Sequence, residues 1–144
     1  MKTREDIVNL LRSLIARKVR FRPYGRNPDY GLDCIGIAIW IGWELELVDR
    51  ERKIPHYSFP PSRDNFDTLD EFLVRTDEIQ PGVLLVFSGR DGLPRHIGIV
   101  SHRRDDGVWK MIGSIPGTLQ IGEYGLLPGL SDHIYAQFDY PNVA

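Results

Sequence analysis

Cys34 is the sole cysteine in a chain of 144 residues. It stands where a Gly- and Pro-rich stretch, PYGRNPDYGLD (23–33), meets an apolar run, CIGIAIWIGW (34–43). A sulfur nucleophile attacks carbonyls as the thiolate, so its surroundings must favour the anion. A cysteine in the first turn of a helix has that help, because unsatisfied N–H groups give the N-terminus a partial positive charge. The same groups, with the Cys34 amide, can receive the oxyanion of a tetrahedral intermediate. The second requirement is a base, and the chain holds four histidines. His96 opens the run HIGIV (96–100) directly after the turn GRDGLPR, a position from which an imidazole can meet a helix N-terminus. On a strand its ring shares a face with Gly98 and Val100, while Ile97 and Ile99 take the other. Gly98, without a side chain, leaves room for a close neighbour on the His96 face. His102 falls at the far end of that strand in a charged turn, His56 in a Pro-rich loop, and His133 at the start of the last strand. On residues alone two readings stay open. One is a Cys–His site; the other is a small buried thiol beside an ordinary polar histidine, with Tyr24 and Tyr30 as loop anchors.

The elements that must position these groups are legible from patterning. Residues 3–19 read as an amphipathic helix capped by Thr3, with Glu5 and Asp6 in its first turn. Ile7, Leu10, Leu11, Leu14 and Ile15 form one stripe at i, i+3, i+4, i+7 and i+8. The run from Cys34 to about Val48 is apolar almost all round and longer than most strands, which predicts a buried helix despite its β-branched content. Residues 22–31 and 51–64 read as loops, and Asp64 or Asn65 as the start of a short helix carrying Phe66, Leu69, Phe72 and Leu73. After QPG (80–82) the texture changes: strands at 83–87, 96–100, 108–113, 119–124 and 133–140, separated by turns, predict an antiparallel meander. Helices first and sheet second make an α+β domain spanning 1–144.

Composition bounds the function classes. Hydrophobic residues at 42% and charged residues at 26% describe a globular chain, and a net charge of −2 gives no reason to expect a nucleic acid partner. One cysteine excludes an internal disulfide, and its wide separation from the histidines makes no metal site; no cofactor is expected. The N-terminus lacks the uninterrupted apolar core of a signal peptide, and no segment approaches the ~20 apolar residues of a membrane span. The expectation is a chain made in the cytoplasm without a signal peptide.

The motif spacing resembles the NlpC family of papain-like cysteine peptidases, which cut amide bonds of bacterial cell-wall peptides. Tyr24-Gly25 precedes Cys34 at the family interval, DCIG (33–36) stands for Asp-Cys-Ser-Gly, QPGVLLVF for its Pro-Gly-Asp strand, and RHIGIV for His-Val-Gly-Ile. DCIG, IPHYSFPP (54–61) and YAQFDYP (135–141) further resemble the subgroup of phage and gene-transfer-agent tails. The resemblance implies a papain-like fold, with N-terminal helices packed on an antiparallel sheet of about five strands. It implies Cys34 as nucleophile, His96 as general base and then acid, and Tyr24 with the Cys34 N–H at the oxyanion. It implies peptidoglycan stem peptides as substrate and other phage tail proteins as partners, in a phage or phage-like tail. Two departures bear on the chemistry. Gly82-Val83 lacks the acid of the Gly-Asp strand. Gly113 occupies the place of a third polar residue that orients the histidine, leaving Ser114, turned round by a bulge, as the substitute. The alternative is a structural tail protein that kept the fold without the chemistry; an acyltransferase on the same fold is a further possibility.

Overall fold

The computed structural model describes residues 1–51, 68–115, 118 and 120–144. Helix α1 (Arg4–Ala16) begins at a capping box. The Thr3 hydroxyl accepts from the Asp6 N–H at 3.2 Å, and the Asp6 carboxylate accepts from the Thr3 N–H at 2.8 Å. Its predicted stripe is the buried one: Ile7, Leu11 and Leu14 are fully enclosed together with Val8, while Leu10 and Ile15 border the core. A short hairpin, β1 (Arg26–Asn27) and β2 (Gly31–Leu32), begins within the segment 22–31 predicted as loop and runs one residue past it. Helix α2 (Cys34–Glu44) follows, with every residue from Cys34 to Gly42 buried.

The isoleucines at 35, 37, 39 and 41 alternate as on a strand. The helix tolerates this period because it is enclosed on all sides, so no face has to be polar. Burying each isoleucine contributes about 1.5–3 kcal/mol. The helix ends four residues before the predicted Val48. Glu46 takes a left-handed backbone (φ 55°), and the N–H groups of Leu47 and Val48 both turn back to the Gly42 carbonyl.

The main sheet contains β3 (Val74–Arg75), β4 (Leu84–Ser88), β5 (Pro94–Arg103), β6 (Trp109–Ser114), β7 (Ile121–Gly125) and β8 (Ile134–Asp139), in the order β3-β8-β4-β5-β6-β7 and antiparallel between every pair of neighbours. Six strands therefore stand where about five were expected. The predicted meander holds from β4 to β7, but β8 crosses back to pair with β4, matching Phe138 to Leu84. A four-residue helical turn, Pro128–Ser131, makes that return. The predicted helix from residue 64 and the loop 51–64 fall mostly outside the described residues; of the helix's apolar positions, Leu69, Phe72 and Leu73 are buried.

Strand alternation divides the core in two. Leu84, Val86, Ile97, Ile99, Ile112 and Phe138 pack with α1 and α2. Leu85, Phe87, Val100 and Met111 form a second cluster on the other face, bordered by Trp109, Tyr124 and Leu130. Arg4 ties the start of α1 to the end of β8 through paired bonds to Asp139 (3.1 and 2.7 Å) and one to the Pro81 carbonyl (3.0 Å). The Tyr140 hydroxyl reaches the Ala38 carbonyl inside α2 at 2.6 Å.

Candidate active site

Asp33 organises the start of α2. Its Oδ1 accepts from the Gly36 N–H at 2.6 Å, which caps the helix, and its Oδ2 accepts from the Tyr24 N–H at 2.7 Å, which fixes the preceding loop. The carboxylate is 1% exposed, with the Arg26 guanidinium 3.5 Å away as its countercharge. The loop and helix meet backbone against backbone. A Cβ on Gly36 would run into the Gly25 carbonyl oxygen, and a Cβ on Gly25 into that of Gly31. Glycine is required at these contacts because of space. Tyr24 itself holds a left-handed backbone (φ 60°), stabilised by its bond to Asp33, and its side chain is 46% exposed.

Cys34 therefore opens α2 as the sequence predicts, with its sulfur against the free N–H groups of Cys34 and Ile35. These amides favour the thiolate, and so does Arg26. Burial opposes it more strongly, and the Asp33 charge adds to burial; together they push the thiol up to about 12. The residue is 7% exposed.

His96 sits on β5 opposite Phe87, and the two rings stack with centroids 5.9 Å apart. Ile97 and Ile99 face the helices, so the imidazole lies on the other side of the sheet, in line with Gly98 and Val100 as alternation predicts. Its Nε2 is 2.5 Å from the hydroxyl of Tyr124, a residue of β7. Burial lowers the pKa of His96 below the ordinary histidine value, so the ring is neutral at pH 7. Tyr124 is raised by burial first and then by the charge of Cys34, whose field reaches the same hydroxyl that bonds His96. Tyr124 thus links the two ends of the site electrostatically.

No protein-family model matches the sequence, and no curated protein matches it. Solved structures do. The chain superposes on an NlpC/P60 family protein from Bacillus cereus with a TM-score of 0.66 at 21% identity, over 97% of this chain and 41% of that one. It superposes on a protein from Staphylococcus aureus, described as similar to a lipoprotein of the NLP/P60 family, with a TM-score of 0.61 at 15% identity, over 99% of this chain and 44% of that one. The chain spans less than half the length of either. Its fold is the NlpC/P60 fold.

Within this NlpC/P60 fold, Ser114 does not reach His96. Strands β6 and β7 pair without a register shift from Lys110↔Gly125 to Ser114↔Ile121, so the bulge that would turn Ser114 round is absent. The serine keeps the parity of Ile112, on the helix side, while Gly113 keeps that of Met111, on the His96 side. Sequence reasoning missed Tyr124, because it comes from one strand further along. The vacant space at Gly98 and Gly113, both on one face, was the available signal. His102 is exposed at the distal end of β5, His133 lies next to β8 with its carbonyl accepting from Ser88, and His56 falls outside the described residues. Among the described residues no cluster of three metal-ligating side chains occurs, and no helix is long and apolar enough to cross a membrane.

Proposed function

We propose that this chain is a cysteine hydrolase of amide links in bacterial cell-wall peptides, with Cys34 as nucleophile and His96 as base. The observation that carries the reading is the Tyr124 hydroxyl, which bonds the His96 Nε2 and lies within the field of Cys34, a sulfur backed by two helix N–H groups. With the thiol pushed up and the imidazole lowered, the resting pair is neutral. His96 therefore removes the thiol proton as Cys34 adds to the carbonyl, and returns it to the leaving amine. The Cys34 and Ile35 amides receive the oxyanion, and the resemblance to the NlpC family assigns the Tyr24 hydroxyl to the same task. The resemblance to phage tail proteins suggests a tail component that opens peptidoglycan locally, with stem peptides as substrate.

The test is release of free amines from purified sacculi and from isolated stem peptides, measured for the wild type, Cys34→Ala and His96→Ala. Release that both substitutions abolish supports the reading. No release, or undiminished release by Cys34→Ala, overturns it. A second reading is a tail structural protein without chemistry, and the observation favouring it is the depth of burial that keeps Cys34 protonated. It predicts that Cys34→Ala and His96→Ala particles assemble normally and open sacculi as well as the wild type does.

A further inference from the structure

The imidazole of His96 has two nitrogens, and a base that works through one must have the other fixed. The Tyr124 hydroxyl is the hydrogen-bond partner of Nε2, and among the described residues none bonds Nδ1. The route of that hydroxyl is cut through two glycines. A Cβ on Gly98 would come within 3.2 Å of the Tyr124 Oη and 3.0 Å of the Met111 Sδ. A Cβ on Gly113 would come within 3.4 Å of the same Oη and 3.0 Å of the Ile97 carbonyl oxygen. Tyr124 is paired with Met111 on β6, and its hydroxyl lies beside both Gly113 on β6 and Gly98 on β5, the strand that carries His96. The tip of the tyrosine thus lies against the space that a side chain on Gly113 would enter.

We infer that Tyr124 is the positioning residue of His96: its hydroxyl oxygen accepts the Nε2–H, which holds the ring in the tautomer whose Nδ1 lone pair is available to the Cys34 thiol. The bond from His96 to Tyr124 stands on its own geometry, while the approach of Nδ1 to the Cys34 thiol rests on the hydrolase reading. The proton inventory is consistent. In the resting state Nε2 carries the proton and Nδ1 is bare. After Nδ1 takes the thiol proton, Nε2–H still donates to Tyr124, so the same bond holds the imidazolium until the amine leaves. A phenol does this without adding a negative charge, because burial keeps it protonated. It orients the ring and adds only a dipole, where a carboxylate would also draw a proton onto the imidazole.

The test is Tyr124→Phe, which keeps the ring and removes the oxygen. Nitrogen-15 spectra of the His96 side chain read the tautomer directly. The wild type should show a protonated Nε2 and a bare Nδ1, and Tyr124→Phe should show the two nitrogens moving towards an averaged signal. On stem peptide, kcat should fall by about 10²-fold with KM within twofold, since what is lost is orientation for proton transfer. A bare Nε2 in the wild type, or nitrogen signals unchanged in Tyr124→Phe, overturns the inference. Should Tyr124→Phe fail to fold, Tyr124→Leu also removes the oxygen, with less bulk against Gly98 and Gly113, and gives the same spectral readout. The spectra report on the imidazole whether or not the protein hydrolyses anything, so failure of the hydrolase reading and failure of this one are separate results.

Discussion

Alkylation of Cys34 puts a number on the electrostatics of the site. An exposed cysteine with the reference value of 9.0 has about one thiol in ten ionised at pH 8, whereas a thiol at about 12 has about one in ten thousand. Iodoacetamide reacts with the thiolate, so the folded protein should be labelled roughly 10³-fold more slowly than the same chain unfolded in urea. The 7% exposure of Cys34 slows access further. Mass spectrometry of the intact chain, sampled over time from pH 7 to 10, gives both rates. The native rate should climb about tenfold per pH unit without levelling off. Asp33→Asn should raise it, because the Asp33 charge is the second largest cause holding the thiol up. The asparagine oxygen can still cap Gly36. A plateau below pH 9, or labelling faster than in urea, would refute the neutral resting pair and point to a preformed thiolate.

Three further outcomes follow from the same geometry. His96 has a folded pKa below the value of 6.5 that it recovers on unfolding, so its contribution is complete above pH 6.5 and is lost as pH falls through the folded value; the drop in melting temperature between pH 7 and 5 should be smaller in His96→Gln than in the wild type. Gly36→Ala should cost about 3 kcal/mol or more in urea unfolding, since the new Cβ meets the backbone oxygen of Gly25 and neither chain can yield, which outweighs the roughly 1 kcal/mol that alanine gains in a helix. Tyr140→Phe should lower stability by about 1 kcal/mol with unchanged far-ultraviolet circular dichroism, because it deletes the buried bond to the Ala38 carbonyl while leaving that oxygen within its helix.

Local chemistry was readable in the sequence where one element settles it. The stripe from Ile7 to Ile15 and the Thr3 cap each depend on residues three or four apart, and both occur as expected. The parity of His96, Gly98 and Val100 depends on the pleat alone. The end of α2 was not readable, because Leu45 to Val48 are good helix residues and the reversal at Glu46 is imposed by the bonds to Gly42. Nor was the return of β8 to β4, which pairs residues 54 positions apart, Phe138 with Leu84, through packing that no local pattern records. Tyr124 belongs with these. A tyrosine in IGEYG looks like any strand tyrosine until β6 and β7 are in register, when Gly113 and Gly98 become a lane leading to an imidazole.

On the inference that Tyr124 steadies His96, its place on β7, the outermost strand on its side of the sheet, decouples readiness for the proposed chemistry from global stability. Margins of sheets open at far lower free energy than centres, and each such opening withdraws the phenol while Cys34 and His96 stay on their central elements. The ladder to β6, the Ser101–Glu123 bond at 2.6 Å, the Arg12–Glu123 contact at 3.3 Å and the Arg20↔Gln120 bridge are what hold this margin. Fraying there would release the His96 Nε2 from its partner well short of unfolding the molecule.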